Sequence, residues 1–202
     1  MAEHILNLIN KQAAEQQGQL EELDISEIKI EQITPEITEN LKKHSQLSSL
    51  AITSCGLKTL EGLPQIESLE VLILEGNKLD GNALKYISEN FKNLICLSLA
   101  DNQIKTFDEL RVLTKLPNLQ QLDLSENQVE QQNEYHQKIF EMLPNLQVLD
   151  NKNKEGKAIE YSDEDIGDEE GLGSDSEFNE DEDDDEEESE DESPKPQKKT
   201  KK

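Results

Sequence analysis

The chain has 202 residues, 46 of them Asp or Glu and 20 Lys or Arg, for a formal net charge of -26. A surface this acidic repels nucleic acid and anionic membranes and attracts polycations. No run approaches the ~18 apolar residues that a membrane span needs, and no basic segment precedes a long apolar one at the N-terminus, so a soluble protein that is not secreted is expected.

The charge divides unevenly. Residues 1–150 hold 24 acidic and 12 basic side chains, whereas residues 151–202 hold 22 and 8. The first part is rich in Leu and Ile and has the length of one ordinary domain. In chain order, residues 1–19 come first: Ile5, Leu8, Ile9 and Ala13 fall at helical spacing, which predicts an amphipathic helix capping whatever follows.

From residue 20 to residue 150 one pattern recurs, L-x-x-L-x-L-x-x-N/C-x-L. Its copies are Leu20-Leu23-Ile25, Leu47-Leu50-Ile52-Cys55-Leu57, Leu69-Leu72-Leu74-Asn77-Leu79, Leu94-Leu97-Leu99-Asn102-Ile104 and Leu119-Leu122-Leu124-Asn127-Val129. The first copy is degenerate, with Ile28 in place of the Asn or Cys, and a truncated copy follows at Leu146–Asp150. Starts at 20, 47, 69, 94, 119 and 146 give spacings of 27, 22, 25, 25 and 27, within the ~20 to 29 of leucine-rich repeats. Alternating Leu side chains point inward from a short strand, and stacked turns close a continuous core. The fold class is therefore α/β, a right-handed leucine-rich repeat solenoid.

Asn77, Asn102 and Asn127 recur where each strand ends, and an amide there is expected to satisfy buried backbone groups; Asn102→Ala is expected to cost about 1 to 3 kcal/mol. Convex-side connections such as Ala83–Phe91 read as helical. Tyr135, Ile139, Phe140 and Leu143 form one stripe before Pro144, and with the strand Leu146–Leu149 they close the stack as a cap over about 135–150.

The outward strand positions form the concave face, where solenoids bind. They carry Glu22, Asp24, Glu75 and Asp123, with Val71, Ile73, Cys96 and small residues between them, and Asp101 and Glu126 one step further along, and no Lys or Arg, so the face reads as small and acidic. This face is the candidate partner-binding site, though a merely solvated face is the alternative.

Catalysis finds no support. His4, His44 and His136 are scattered and read as solvent-facing, without metal-ligand spacing. There is no Gly-rich phosphate loop and no nucleophile elbow. No catalytic, cofactor or metal residue is assigned, and any Ca²⁺ or Mg²⁺ held by the acidic run would be bound unspecifically. Cys55 and Cys96 lie two repeats apart at non-equivalent positions, beyond disulfide reach, and read as free thiols in a reducing compartment.

Residues 151–202 form a tail too poor in apolar residues to order itself. Between Glu160 and Glu192 it has twenty-one acidic residues and no basic one, densest at Asp181, Asp183, Asp184, Asp185, Glu186, Glu187 and Glu188. Two readings stand: a solubiliser, or a polyanion that competes with nucleic acid for a basic partner. Ser162, Ser174 and Ser189 each have an acidic residue three positions on, a pattern favoured by acid-directed kinases. Lys198, Lys199, Lys201 and Lys202 read as a nuclear import signal or as a basic end that folds back on the acidic run.

The Asn-bearing repeats, the cap Tyr135-His136-Gln137-Lys138-Ile139-Phe140-Glu141-Met142-Leu143-Pro144 with its closing strand, and the acidic, Lys-terminated tail together resemble the acidic leucine-rich nuclear phosphoprotein 32 family. The resemblance is closest from Leu69 to Asp150 and weaker in the first repeat. It implies a nuclear, non-enzymatic binder of core histones or other basic proteins, either a histone chaperone or an inhibitor of histone acetylation; a monomer is expected, with no direct binding of nucleic acid or membrane. Shuttling to the cytoplasm is left open. Inhibition of a type 2A protein phosphatase through the repeats is an alternative. A third arises because the repeat-plus-cap arrangement also resembles a structural leucine-rich component of a spliceosomal particle.

Overall fold

The computed structural model describes residues 2–159. Six short strands, β1 (Glu22–Asp24), β2 (Ser49–Ala51), β3 (Val71–Ile73), β4 (Cys96–Ser98), β5 (Gln121–Asp123) and β6 (Val148–Leu149), form one parallel sheet in chain order. Leu23, Leu50, Leu72, Leu97, Leu122 and Leu149 stand side by side across all five strand pairs. This register is the one the repeat spacing predicts. Every Leu in that row is buried, and each contributes about 1.5 to 3 kcal/mol by leaving water.

The described residues also form five helices: α1 (Ala2–Glu15), which precedes the first strand, and α2 (Pro35–Leu41), α3 (Gly81–Asn90), α4 (Phe107–Leu110) and α5 (Tyr135–Met142), which lie in the connections between strands. Short 3-10 turns at Arg111–Lys115 and Gln128–Gln131 complete the connections. Strands stack ~4.8 Å apart while helices need nearly twice that, so the sheet side curves inward.

The caps of these helices follow from local sequence. Asp80 accepts the amide hydrogen of Asn82 at 2.9 Å to start α3. Thr106 and Glu109 form a reciprocal capping box that starts α4. Ala83, Leu84, Ile87 and Phe91 are all buried, as their helical spacing predicts. The connection from β2 to β3 contains no helix. It belongs to the 22-residue repeat, the shortest, and it fills its share of the core with Leu60, Leu63 and Ile66 from an extended chain instead. There Gly62 adopts φ +93°, and a Cβ would meet the Ile33 carbonyl oxygen at 2.9 Å, so only glycine lets this loop close on its neighbour.

The asparagine ladder is present. Each amide oxygen accepts a backbone N–H from the preceding repeat: Asn77 from Leu57 at 3.0 Å, Asn102 from Leu79 at 3.0 Å and Asn127 from Ile104 at 2.9 Å. Each Nδ2 donates backward as well, that of Asn102 to the Leu74 and Leu99 carbonyls at 2.9 and 3.0 Å. Cys55 occupies the same place with a thiol, and its Sγ lies 3.3 Å from the Ile25 carbonyl. Cys55 and Cys96 are both free.

The first strand would leave an open sheet edge, a template for unwanted pairing. Helix α1 buries Ile5, Ile9 and Ala13 against the core and closes that edge with two glutamines one helical turn apart. Gln12 donates to the Asp24 carbonyl (2.7 Å) and accepts from the Asp24 N–H (3.0 Å). Gln16 donates to the Glu22 carbonyl (2.7 Å) and accepts from the Glu21 and Glu22 N–H groups (2.7 and 3.1 Å). The two side chains do the work of a seventh strand. Gln16→Ala should lower the unfolding free energy by about 1 to 2 kcal/mol in a denaturant titration; an unchanged midpoint would show that water serves that edge equally well.

At the far end Tyr135, Ile139, Phe140 and Leu143 are buried, as their stripe predicts. Beyond β6 the chain doubles back, so that Leu149 and Lys152 exchange backbone hydrogen bonds at 2.9 Å and Lys152 bridges to Ala158. That turn covers the last edge.

Candidate functional site

The outward positions of the six strands make one surface. Read across the register, the first row is Glu22, Ser49, Val71, Cys96, Gln121 and Val148, and the second is Asp24, Ala51, Ile73, Ser98 and Asp123. A third row, just past the strands, holds Ser26, Thr53, Glu75, Ala100 and Ser125. No Lys or Arg occurs in any row.

Four of the candidate acidic residues lie in these rows. Glu22 and Asp24 are exposed on β1, and the Asp24 carboxylate accepts the Ser26 N–H at 2.7 Å. Glu75 is half-buried, and its carboxylate accepts the Ser98 hydroxyl at 2.7 Å. Asp123 accepts both the N–H and the hydroxyl of Ser125, at 2.9 and 2.6 Å. Ser98, which strand alternation places on the surface, is only 7% exposed, because it turns under the Glu75 side chain that it holds.

Asp101 and Glu126 stand apart from this sheet face. Both are exposed in the turn after their strands, with φ of 50° and 59°. Glu27, Ser54 and Gly76 occupy the same turn of earlier repeats with φ of 64°, 57° and 64°. The turn thus demands a left-handed residue in every repeat, and side chains other than glycine pay for it in strain. Glu126→Gly should therefore raise the unfolding free energy by about 0.5 to 1 kcal/mol. A lower denaturant midpoint would count against that strain.

Between the carboxylates the face is apolar. Val71 and Cys96 pair across β3 and β4, and Ile73 stands between Ala51 and Ser98. A shallow depression of about 180 Å³ opens here, lined among others by Ile73, Cys96, Glu75 and Asp123. Burial, and then the charges of Asp123 and Glu75, push the Cys96 thiol ionisation up, so Cys96 stays a neutral thiol and packs as a small apolar group. The sequence reading of this face as small and acidic missed its apolar centre, although the alternation already placed Val71, Ile73 and Cys96 outward.

The histidines do not form a site. His4 is exposed, and His44 and His136 are half-buried. The His136 ring packs 4.7 Å from that of Phe140, and burial together with Lys43 holds the His44 pKa below its usual value. Each sits on a connection that folds down onto the core. Among the described residues no group of three His, Cys, Asp or Glu side chains is placed to hold a metal ion, and no helix is long and apolar enough to cross a membrane. The tail candidates, Asp181, Asp183 to Asp185, Glu186 to Glu188, Ser162, Ser174, Ser189, Lys198, Lys199, Lys201 and Lys202, lie outside the described residues.

A leucine-rich repeat family model matches residues 1–172. The acidic leucine-rich nuclear phosphoprotein 32-related protein of Plasmodium falciparum is 36% identical over 147 residues, 72% of this chain and 52% of that protein. The related protein 1 of Caenorhabditis elegans is 37% identical over 138 residues, 63% of this chain and 60% of that protein. The chain thus spans between half and two thirds of the length of these curated relatives. Among solved structures, a chain of the Drosophila melanogaster SNF/U2A' complex superposes with a TM-score of 0.56 at 24% identity, covering 65% of this chain and 73% of that one, which speaks for the fold alone. The protein belongs to the leucine-rich repeat family, and the curated relatives it is similar to are acidic leucine-rich nuclear phosphoprotein 32-related proteins.

Proposed function

We propose that this protein is a non-enzymatic nuclear binder of core histones, acting as a chaperone or as a shield against histone acetylation. The observation that carries the reading is the sheet face, where Glu22, Asp24, Glu75 and Asp123 occupy outward rows that contain no Lys or Arg. The run from Glu160 to Glu192, with its twenty-one carboxylates, adds a second anionic element on the same chain. Its role is to hold basic histone segments by many weak, exchanging contacts, while the folded face selects among them. Charge of one sign on both elements favours fast encounter with a cationic partner and steep salt dependence. The names of the relatives, as nuclear phosphoproteins, support a nuclear location.

The test is core-histone binding by the full chain and by residues 1–159 across a salt series. Removing the acidic run should weaken binding about tenfold or more near physiological salt and flatten the salt dependence. Histone affinity that is untouched by the truncation would remove the tail from the mechanism. Inhibition of a type 2A phosphatase by residues 1–159, with no histone binding by either form, would favour the enzyme-regulator reading instead.

A further inference from the structure

We infer that the concave sheet face recognises an apolar side chain carried between Lys or Arg residues of a partner segment. The inference rests on the proposed binding of basic proteins and narrows its chemistry.

Outward positions of solvated strands are ordinarily polar, yet the centre of this sheet presents Val71, Ile73 and Cys96 side by side. All three are half-buried by their neighbours, and among the described residues nothing covers them. Ile73 and Cys96 floor the depression described above, with Glu75 and Asp123 lining it beside them, and Val71 extends the apolar surface next to Cys96.

These two carboxylates are held in place. The Ser98 hydroxyl fixes Glu75, and the Ser125 N–H and hydroxyl fix Asp123. Neither spends its charge on a lysine or arginine of the described residues, since the salt bridges there involve other acids. A purely cationic ligand would gain nothing from the apolar floor, and a purely apolar one would leave the carboxylates unanswered. A segment that inserts a Leu-sized side chain and flanks it with cations satisfies both. Its apolar group leaves water against Val71, Ile73 and Cys96, while its cations meet carboxylates whose rotamer entropy is already spent.

Two 15-residue synthetic peptides of equal positive charge separate this from simple polyanion binding, one with Leu at its centre between Lys and Arg, the other with Ser there. Added to the full chain, the Leu peptide should bind about tenfold tighter than the Ser peptide and should shift the methyl resonances of Ile73 and Val71. Ile73→Ser should abolish the tenfold preference and leave the Ser peptide's affinity unchanged. Val71→Thr, which keeps the branched shape and so the strand, should reduce the preference in a background whose denaturant midpoint is checked directly. Equal binding of the two peptides, or methyl resonances that stay still, would overturn the inference. Histone binding that persists alongside equal peptide affinities would leave the broader function standing without this specificity, whereas the loss of both would remove both.

Discussion

Asn102→Ala is expected to lower the unfolding free energy by about 3 kcal/mol, the upper part of the range for losing buried hydrogen bonds. Asn102 is 8% exposed, and its amide accepts from the Leu79 N–H while donating to the carbonyls of Leu74, Leu99 and Ala100. A methyl group answers none of these, and the Leu79 N–H and Leu74 carbonyl lie where water cannot replace it. The ladder ties four successive repeats together through three asparagines, so the loss falls on the stacking interfaces that a solenoid depends on. Chemical denaturation should show a lower midpoint at unchanged slope. Asn102→Asp refines the experiment: it keeps the acceptor for Leu79 but turns a carboxylate toward the three carbonyls, so it should destabilise as well. An unchanged midpoint for both would refute the ladder's structural role.

Asp150→Leu is the second large effect, expected to cost about 2 kcal/mol through an orphaned buried donor. The Asp150 carboxylate accepts the Leu124 N–H at 2.7 Å, bonding the terminal strand to its neighbour. Burial holds its pKa above the ordinary 3.8, the Leu124 N–H opposes that, and the charges of Asp123 and Glu130 reinforce it. Tyr135 is buried nearby and its pKa too is raised, by burial first and then by Asp150. Its hydroxyl is buried and has no hydrogen-bond partner among the described residues.

A carboxyl group whose folded pKa is raised binds its proton more tightly in the folded state. Its contribution to stability is fully present below pH 3.8 and is lost as pH rises through the higher folded value. Asp150→Asn keeps an oxygen for Leu124 and carries no charge. It should therefore be at least as stable as the parent at neutral pH, with the difference shrinking toward pH 3.8. A Leu variant as stable as the Asn variant would show that the Leu124 hydrogen bond contributes nothing.

Both effects grow from features that differ in how plainly the linear chain shows them. The Leu period and the recurrence of Asn77, Asn102 and Asn127 determine strand positions, register and ladder, because a stacked repeat meets the same environment at each turn and so selects the same residue there. The cap stripes, Ile5, Ile9 and Ala13 at one end and Tyr135, Ile139 and Phe140 at the other, are visible for a similar reason: helical periodicity is local.

Other features depended on contacts that no period announces. Gln12 and Gln16 look like polar helix positions until the fold brings the edge of β1 against them. The left-handed turn recurs with Glu27, Ser54, Gly76, Asp101 and Glu126, residues with no chemistry in common, since that turn is imposed by the strand-to-ladder geometry and not by side-chain type. Ser98 reads as surface until Glu75, 23 residues earlier, covers it.

For the candidate site, sequence alone determined its sign of charge: acidic outward positions, no Lys or Arg among them, and a long acidic run behind. Tertiary structure alone decided that Ser98 and Ser125 pin Glu75 and Asp123 in place and that a depression opens between them over Ile73 and Cys96. Charge is a sum over residues and survives any arrangement, whereas an apolar floor between fixed carboxylates exists only once strands 25 residues apart in sequence are paired.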